Sequence, residues 1–351
     1  MFERPKVEND EAQTVEYLNH SEYLEKIKNC VQGSTKSIYI ICKNLTLTHP
    51  LKKDLEKAIA RGVKLNIIAE YCSPIDGYTP PKQNFSKAYP NGISSSLLIF
   101  DSDKALIPSM ELTHQDNQTA LYFENAPSLI RDLHNFYNLG EYYGSGNDNN
   151  GVWPNKLLVQ YNYKHPHEFN IDGVVGKLSF AQSGNKNPPV RDSHYYPFTE
   201  VIIPKDSDEI LVSSSRFVQN KLNVPHFTLQ NQLIKSATSA YKKKVKIIVS
   251  SHDPEFNETV RWVSSICSME NISARVSDEY HLPSYVVSGN NFIFSSYPLS
   301  DILFDNSYGF TVIGRNFSKI TEAMEAEFNK YYEKAHPFID YLDRIWKDIE
   351  K

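Results

Sequence analysis

His165 and His167 are alternate residues, so on a strand both imidazoles would leave one face and could share a metal ion. No nearby acid or cysteine completes a ligand set, so the pair reads as surface histidines, and no metal or other cofactor is expected. The basic run from Lys242 to Lys246 could grip a phosphate, but it stands at the end of an expected helix, where positive charge complements the helix dipole. The chain has 22 Tyr and 18 Phe, enough to supply stacking platforms for a sugar or base. Phe328, Tyr331, Tyr332 and Phe338, however, fit core packing better. Cys30, Cys42, Cys72 and Cys267 stand singly, without a C-x-x-C pair, and read as reduced small apolar residues. Neither G-x-x-x-x-G-K-S/T nor G-x-G-x-x-G occurs, so the usual nucleotide cradles are absent.

Whatever chemistry exists must be positioned by a folded frame. The 351 residues suggest about two domains, and the 40% apolar, 12% aromatic and 23% charged fractions are those of a chain with a sizeable core. A net charge of -5 gives no global positive field, so nucleic acid is not favoured as a partner. The best apolar stretch, Ile38 to Cys42, is far shorter than the roughly 18 to 20 residues that span a bilayer, so no membrane is expected. The amino terminus lacks the basic and apolar segments of a secretory signal, which makes a cytoplasmic location the expectation.

An approximate internal repeat organises the chain. Ser37 to Asn44 and Glu209 to Arg216 read as buried strands 172 positions apart. A helix follows each: Leu51, Leu55, Ile59 and Val63 form one apolar stripe, ended by Arg61-Gly62, and Leu229, Leu233 and Ala237 form the other. Strands at Lys64 to Ala69 and Val245 to Val249 come next, then strands ending in polar turns at Asp101 and Ser288. Two aromatic helices close the series, Leu129 to Tyr143 and Ile320 to Tyr332. Between the halves, turn formers at Gly144 to Gly151 and Gly184 to Pro189 bracket a β-like stretch, within which Asp172-Gly173 suits a tight hairpin. A helix at Glu255 to Met269 has no first-half counterpart. The predicted organisation is an N-terminal arm (1–20), a first lobe (21–150), a bridging β-rich segment (151–200) and a second lobe (201–351). The fold class is α/β, with two repeats packed about an approximate twofold, mixed sheets flanked by helices, and equivalent strand ends lining one shared cleft.

The order of strand, helix and strand around Arg61-Gly62-Val63-Lys64-Leu65, the strand and turn at Asp101 and the closing aromatic helix resemble the phospholipase D superfamily. The likeness covers most of Tyr23 to Tyr143 and Glu209 to Trp346. Members carry H-x-K-x4-D once per half and then a turn of G-S-x-N type. The resemblance implies one His as nucleophile, its partner as general acid and lysines that hold the phosphate. On this chain the first motif becomes Ser94, Ser96 and Asp101, and the second becomes His281, Pro283 and Ser288. Of two His and two Lys, only His281 remains. The later turns, Pro108-Ser109-Met110 and Phe294-Ser295-Ser296-Tyr297, keep serines, which donate hydrogen bonds but carry no charge.

Loss of a phosphate-holding group typically costs several kcal/mol, and even about 2.7 kcal/mol is a hundredfold in rate. The resemblance therefore implies a pseudoenzyme, similar to archaeal sugar-responsive TrmB-type regulators, whose phospholipase D-like domain binds a small molecule. About 20 residues before the first lobe leave no room for their DNA-binding winged helix. Ser94, Ser96, Ser109, His281, Ser284, Ser295 and Ser296 are the expected ligand-binding residues of a sensor or interaction module, facing a small polar molecule or a protein partner. The enzyme alternative is a phosphodiesterase with His281 as nucleophile, and a third reading is a scaffold whose helix Phe338 to Lys351 docks a partner.

Overall fold

The computed structural model describes residues 13–47, 49–81, 92–109, 118–144, 166–182, 201, 207–217, 229–238, 242–252, 256–299 and 307–349. His165 and the loops at 145–151 and 184–189 lie outside these residues.

The first sheet has the order β1-β6-β5-β4-β2-β3, built from β1 (Thr14–Leu18), β2 (Ser37–Leu45), β3 (Lys64–Cys72), β4 (Leu97–Phe100), β5 (Lys104–Pro108) and β6 (Ala120–Glu124). Only β2 and β3 run parallel; every other neighbour is antiparallel. The second sheet contains β7 (His167–Ile171), β8 (Val174–Gln182), β9 (Glu209–Ser213), β10 (Lys244–Ser250), β11 (Ile272–Ser277), β12 (Ser284–Ser288), β13 (Asn291–Ser295), β14 (Phe310–Arg315) and β15 (His336–Pro337). Its order is β15-β11-β10-β9-β12-β13-β14-β8-β7. The run β3-β2-β4-β5-β6-β1 of the first sheet corresponds, strand by strand and in direction, to β10-β9-β12-β13-β14-β8 of the second. The duplication seen in the sequence is thus carried by the sheets. It also takes in β1, within the stretch assigned to the arm, and β8, within the bridging segment.

Local chemistry accounts for the element ends. Helix α1 (His20–Gly33) starts at a capping box, with Glu22 N donating to Asn19 Oδ1 and Asn19 N donating to Glu22 Oε2. Helix α2 (His49–Ala60) stops before Gly62, whose φ of +90° suits a residue without Cβ. The β7–β8 hairpin turns on Asp172 and Gly173, both at positive φ, as a two-residue loop requires.

Helix α3 (Pro127–Gly144) and helix α6 (Ser318–Lys334) lie between the sheets, and one apolar core joins both lobes there. It combines Ile41, Ile68 and Ile99 of the first sheet with Tyr285, Phe294 and Phe310 of the second, filled in by Phe136 and Phe328. Outside, α1 and α2 cover the first sheet, while α4 (Leu229–Thr238), α5 (Phe256–Ser264) and α7 (Phe338–Ile349) cover the second. Apolar groups thus cover both faces of each sheet, which explains the continuous apolar runs of β2, β9 and β10.

Two expectations need correction. His167 is 3% exposed, not a surface residue. Its Nε2 lies 3.0 Å from Asp132 Oδ2 and its Nδ1 3.1 Å from Ser128 Oγ, so the ring is spent on fixing β7 to α3. The basic run is not a solvated helix end throughout: Lys242 takes a φ of +43°, Lys243 N donates to Ser236 O at 3.1 Å, and the Lys243 side chain turns inward to 1% exposure.

Candidate functional site

Ser94 and Ser96 of the first motif meet second-half residues on the seam between the lobes, whereas Asp101 lies beyond the opposite end of β4 and Ser288 at the far end of β12. Ser94, Ser95 and Ser96 lead into β4, and each is tied to the other lobe. Ser94 Oγ accepts from Ser307 Oγ at 2.7 Å and Ser94 N donates to Tyr308 O at 2.8 Å. Ser95 Oγ accepts from Phe310 N at 2.7 Å, and Ser296 Oγ donates to Ser96 O at 3.2 Å. The approach is close enough that a Cβ at Gly309 would stand 2.1 Å from Ser94 Oγ. Tyr308 anchors the seam by stacking on Phe136 with centroids 4.5 Å apart and donating its hydroxyl to Phe136 O.

Ser94 and Ser96, at 7% and 0% exposure, therefore form a packed seam rather than the walls of an open cleft. Buried hydroxyls must find partners, and most here find them across the lobe boundary. Ser96 Oγ is an exception, with no hydrogen bond among the described residues. Ser109 Oγ accepts from Thr119 N at 3.1 Å, and Ser295 Oγ accepts from Tyr297 N at 3.2 Å, so both are engaged within their own lobe. Ser284 pairs with Ser295 in the β12–β13 ladder.

Asp101 occupies the aspartate position of the first motif, and its work is structural. Its carboxylate accepts from the backbone N–H of Thr35, Lys36 and Ser37 at 2.7 to 2.8 Å, fastening the β4–β5 turn to the start of β2. Burial alone would raise its pKa; the three N–H donors outweigh that and hold it below the usual carboxylate range. Ser288, at the equivalent place, has a buried hydroxyl with no such partner among the described residues.

His281 stands on the loop between β11 and β12, half-buried, with its ring edge-on to Tyr280 at 4.3 Å. The loop is fixed by serines at the ends of the parallel strands. Ser250 Oγ donates to Glu279 O at 2.7 Å, Leu282 N donates to Ser215 Oγ at 2.9 Å, and Ser213 Oγ donates to Pro283 O at 2.7 Å. Pro283 and Ser296 lie one step beyond the Ser284–Ser295 pair, so the Ser96–Ser296 contact and the His281 loop flank the same strand end. Tyr280, His252 and Ser250 were absent from the expected site. Their signal was available: strands β9, β10 and β11 each end in a serine, Ser213, Ser250 and Ser277, at the strand ends where α/β sheets hold ligands.

A cavity of about 660 Å³ opens elsewhere, between α1 and the outer face of β1, β5 and β6. Its charges are largely paired, Lys26 with Glu16 at 3.3 Å and Lys104 with Glu124 at 3.2 Å, and the Lys26 ammonium sits 4.2 Å above the Tyr122 ring.

No protein-family model and no curated protein matches the sequence. Solved structures do. The phosphatidylserine synthase of Haemophilus influenzae Rd KW20 is similar over 92% of this chain and 87% of its own, with a TM-score of 0.62 at 13% identity. The phospholipase D family member Nuc of Salmonella typhimurium aligns over 38% of this chain and 96% of its own, with a TM-score of 0.31 at 13% identity. The polyphosphate kinase of Porphyromonas gingivalis aligns over 86% of this chain and 47% of its own, with a TM-score of 0.47 at 10% identity. With its duplicated mixed sheets and two central helices, this chain has the two-lobed phospholipase D-like fold.

Proposed function

We propose that this chain is a catalytically silent phospholipase D-like module that binds a small, uncharged polar ligand at the strand ends beside the lobe seam. One observation carries the reading: where phosphoryl transfer needs imidazole and ammonium groups, the chain has Ser94, Ser96 and Pro283, with the Ser94 hydroxyl bonded across the seam to Ser307 and the Ser96 carbonyl to Ser296. A hydroxyl held by another hydroxyl offers neither a proton acceptor near neutral pH nor a cation for equatorial oxygens. His281 alone supplies a nucleophile without its acid, and losing one such group already costs about a hundredfold or more. Hydroxyls, imidazole and backbone at these strand ends suit hydrogen bonding to a sugar or nucleoside. The test is release of nitrophenolate from bis(4-nitrophenyl) phosphate by the full chain and by His281→Ala. Both are expected to stay at the uncatalysed rate. Turnover by the wild type that vanishes in His281→Ala would establish the phosphodiesterase reading instead.

A further inference from the structure

We propose that the loop from Ser277 to Leu282 is a stacking platform for the base of an uncharged nucleoside, an inference that rests on the ligand-binding reading above and names its ligand class. The loop lies at the carboxyl ends of the parallel strands β9, β10 and β11. Tyr280 is 59% exposed there, and two further rings meet it. The His281 ring stands perpendicular to it with centroids 4.3 Å apart, and His252, just beyond β10, stands 5.7 Å away at an interplanar angle of 37°.

One buried hydroxyl sets both sides of this cluster. Ser250 Oγ accepts from His252 N at 3.2 Å and donates to Glu279 O at 2.7 Å, while Leu282 N donates to Ser215 Oγ at 2.9 Å. The exposed ring is therefore carried on a fixed backbone, and a base stacking on it spends little free energy on ordering the loop. Any base presents a π-face to such a ring. Charge selects the form of the ligand. Asp278 and Glu279 precede Tyr280 and Arg216 lies three residues beyond β9; Asp278 also meets His336 Nε2 at 3.4 Å and accepts from Ser251 Oγ at 3.4 Å, which leaves two carboxylates against one fixed cation, a balance that opposes a phosphate but accepts N–H and O–H donors from base and ribose.

Calorimetric titration of the full chain with adenosine, AMP and methyl glucoside tests this. Adenosine is expected to bind more tightly than AMP, Tyr280→Ala to weaken adenosine by at least about tenfold, and Tyr280→Phe to stay within about twofold of wild type. Thermal midpoints of both variants should match wild type, since the ring is exposed. Unchanged adenosine affinity in Tyr280→Ala, or AMP binding as tightly as adenosine, overturns the platform and leaves the ligand-binding reading standing. Glucoside binding without adenosine binding does the same, and binding of none of the three overturns both. Hydrolysis dependent on His281 would sink the silent-module reading alone; the platform would still be decided by Tyr280→Ala.

Discussion

Replacing Glu327 with Gln should abolish a pH dependence of stability that the lobe interface builds in. Glu327 lies on α6, and the hydroxyl of Tyr17, on β1 of the other lobe, donates to its Oε2. Tyr17 also packs edge-on against Tyr285 and Phe294, at 6.4 and 6.2 Å between centroids, so the carboxyl meets the shared core. Burial pushes its pKa up from 4.5 to about 7, against smaller opposing effects of the Tyr17 hydrogen bond and Lys330. The folded state thus holds the proton more tightly than the unfolded state. Its contribution is fully present below 4.5 and is lost as pH rises to about 7. Between pH 5 and 8 the loss amounts to roughly 2–3 kcal/mol. Urea denaturation followed by tryptophan fluorescence, run on wild type and Glu327→Gln across that range, isolates this group from the other titrating residues. The wild type should lose roughly 2–3 kcal/mol relative to the variant as pH rises. A constant difference, or a wild type that gains on the variant at high pH, would show that Tyr17 stabilises the carboxylate and that the assigned proton is absent.

Three further substitutions probe the frame that positions the site. Gly309→Ala forces a Cβ onto Ser94 Oγ and should cost about 1–3 kcal/mol, with partial recovery in Ser94→Gly/Gly309→Ala, both measured by denaturation. His167→Ala strips the buried Asp132 of its ring partner and should cost about 3 kcal/mol at pH 7, with hydrogen exchange rising in β7 and the start of α3. Asp101→Asn should cost about 1–2 kcal/mol at pH 7 through weakened bonds to three backbone N–H groups. Because the folded Asp101 has a depressed pKa, that difference should persist above the ordinary carboxylate range and shrink as acid is added through its folded value.

Most of the frame was legible because burial on both sheet faces writes itself into the sequence as apolar runs, and the duplication repeats them in order. Short or half-polar elements were not. Thr14–Leu18 is five residues beside an acidic stretch, and only its ladder with β6 makes it a strand. His167 shows the limit of face assignment from alternation: pattern can put His165 and His167 on one side of a strand, but only the docking of β7 on α3 makes that side an interior. For the site, residue types at motif spacing located the seam. They did not reveal that the Ser94 hydroxyl and the Ser96 carbonyl would be engaged in joining the lobes, since Ser307 and Ser296 come from distant parts of the chain. Tyr280 and His252 meet only because β10 and β11 are parallel neighbours ending at the same edge.

The silent centre itself is tested most directly by intact-mass spectrometry of the full chain after incubation with a phosphodiester at pH 7. The arrangement of Ser94, Ser96 and Pro283 predicts an unchanged mass at every time point. A phosphoryl adduct that is labile in acid and absent from His281→Ala would mean that the imidazole attacks phosphorus without its usual partners, and the account would be wrong at its core.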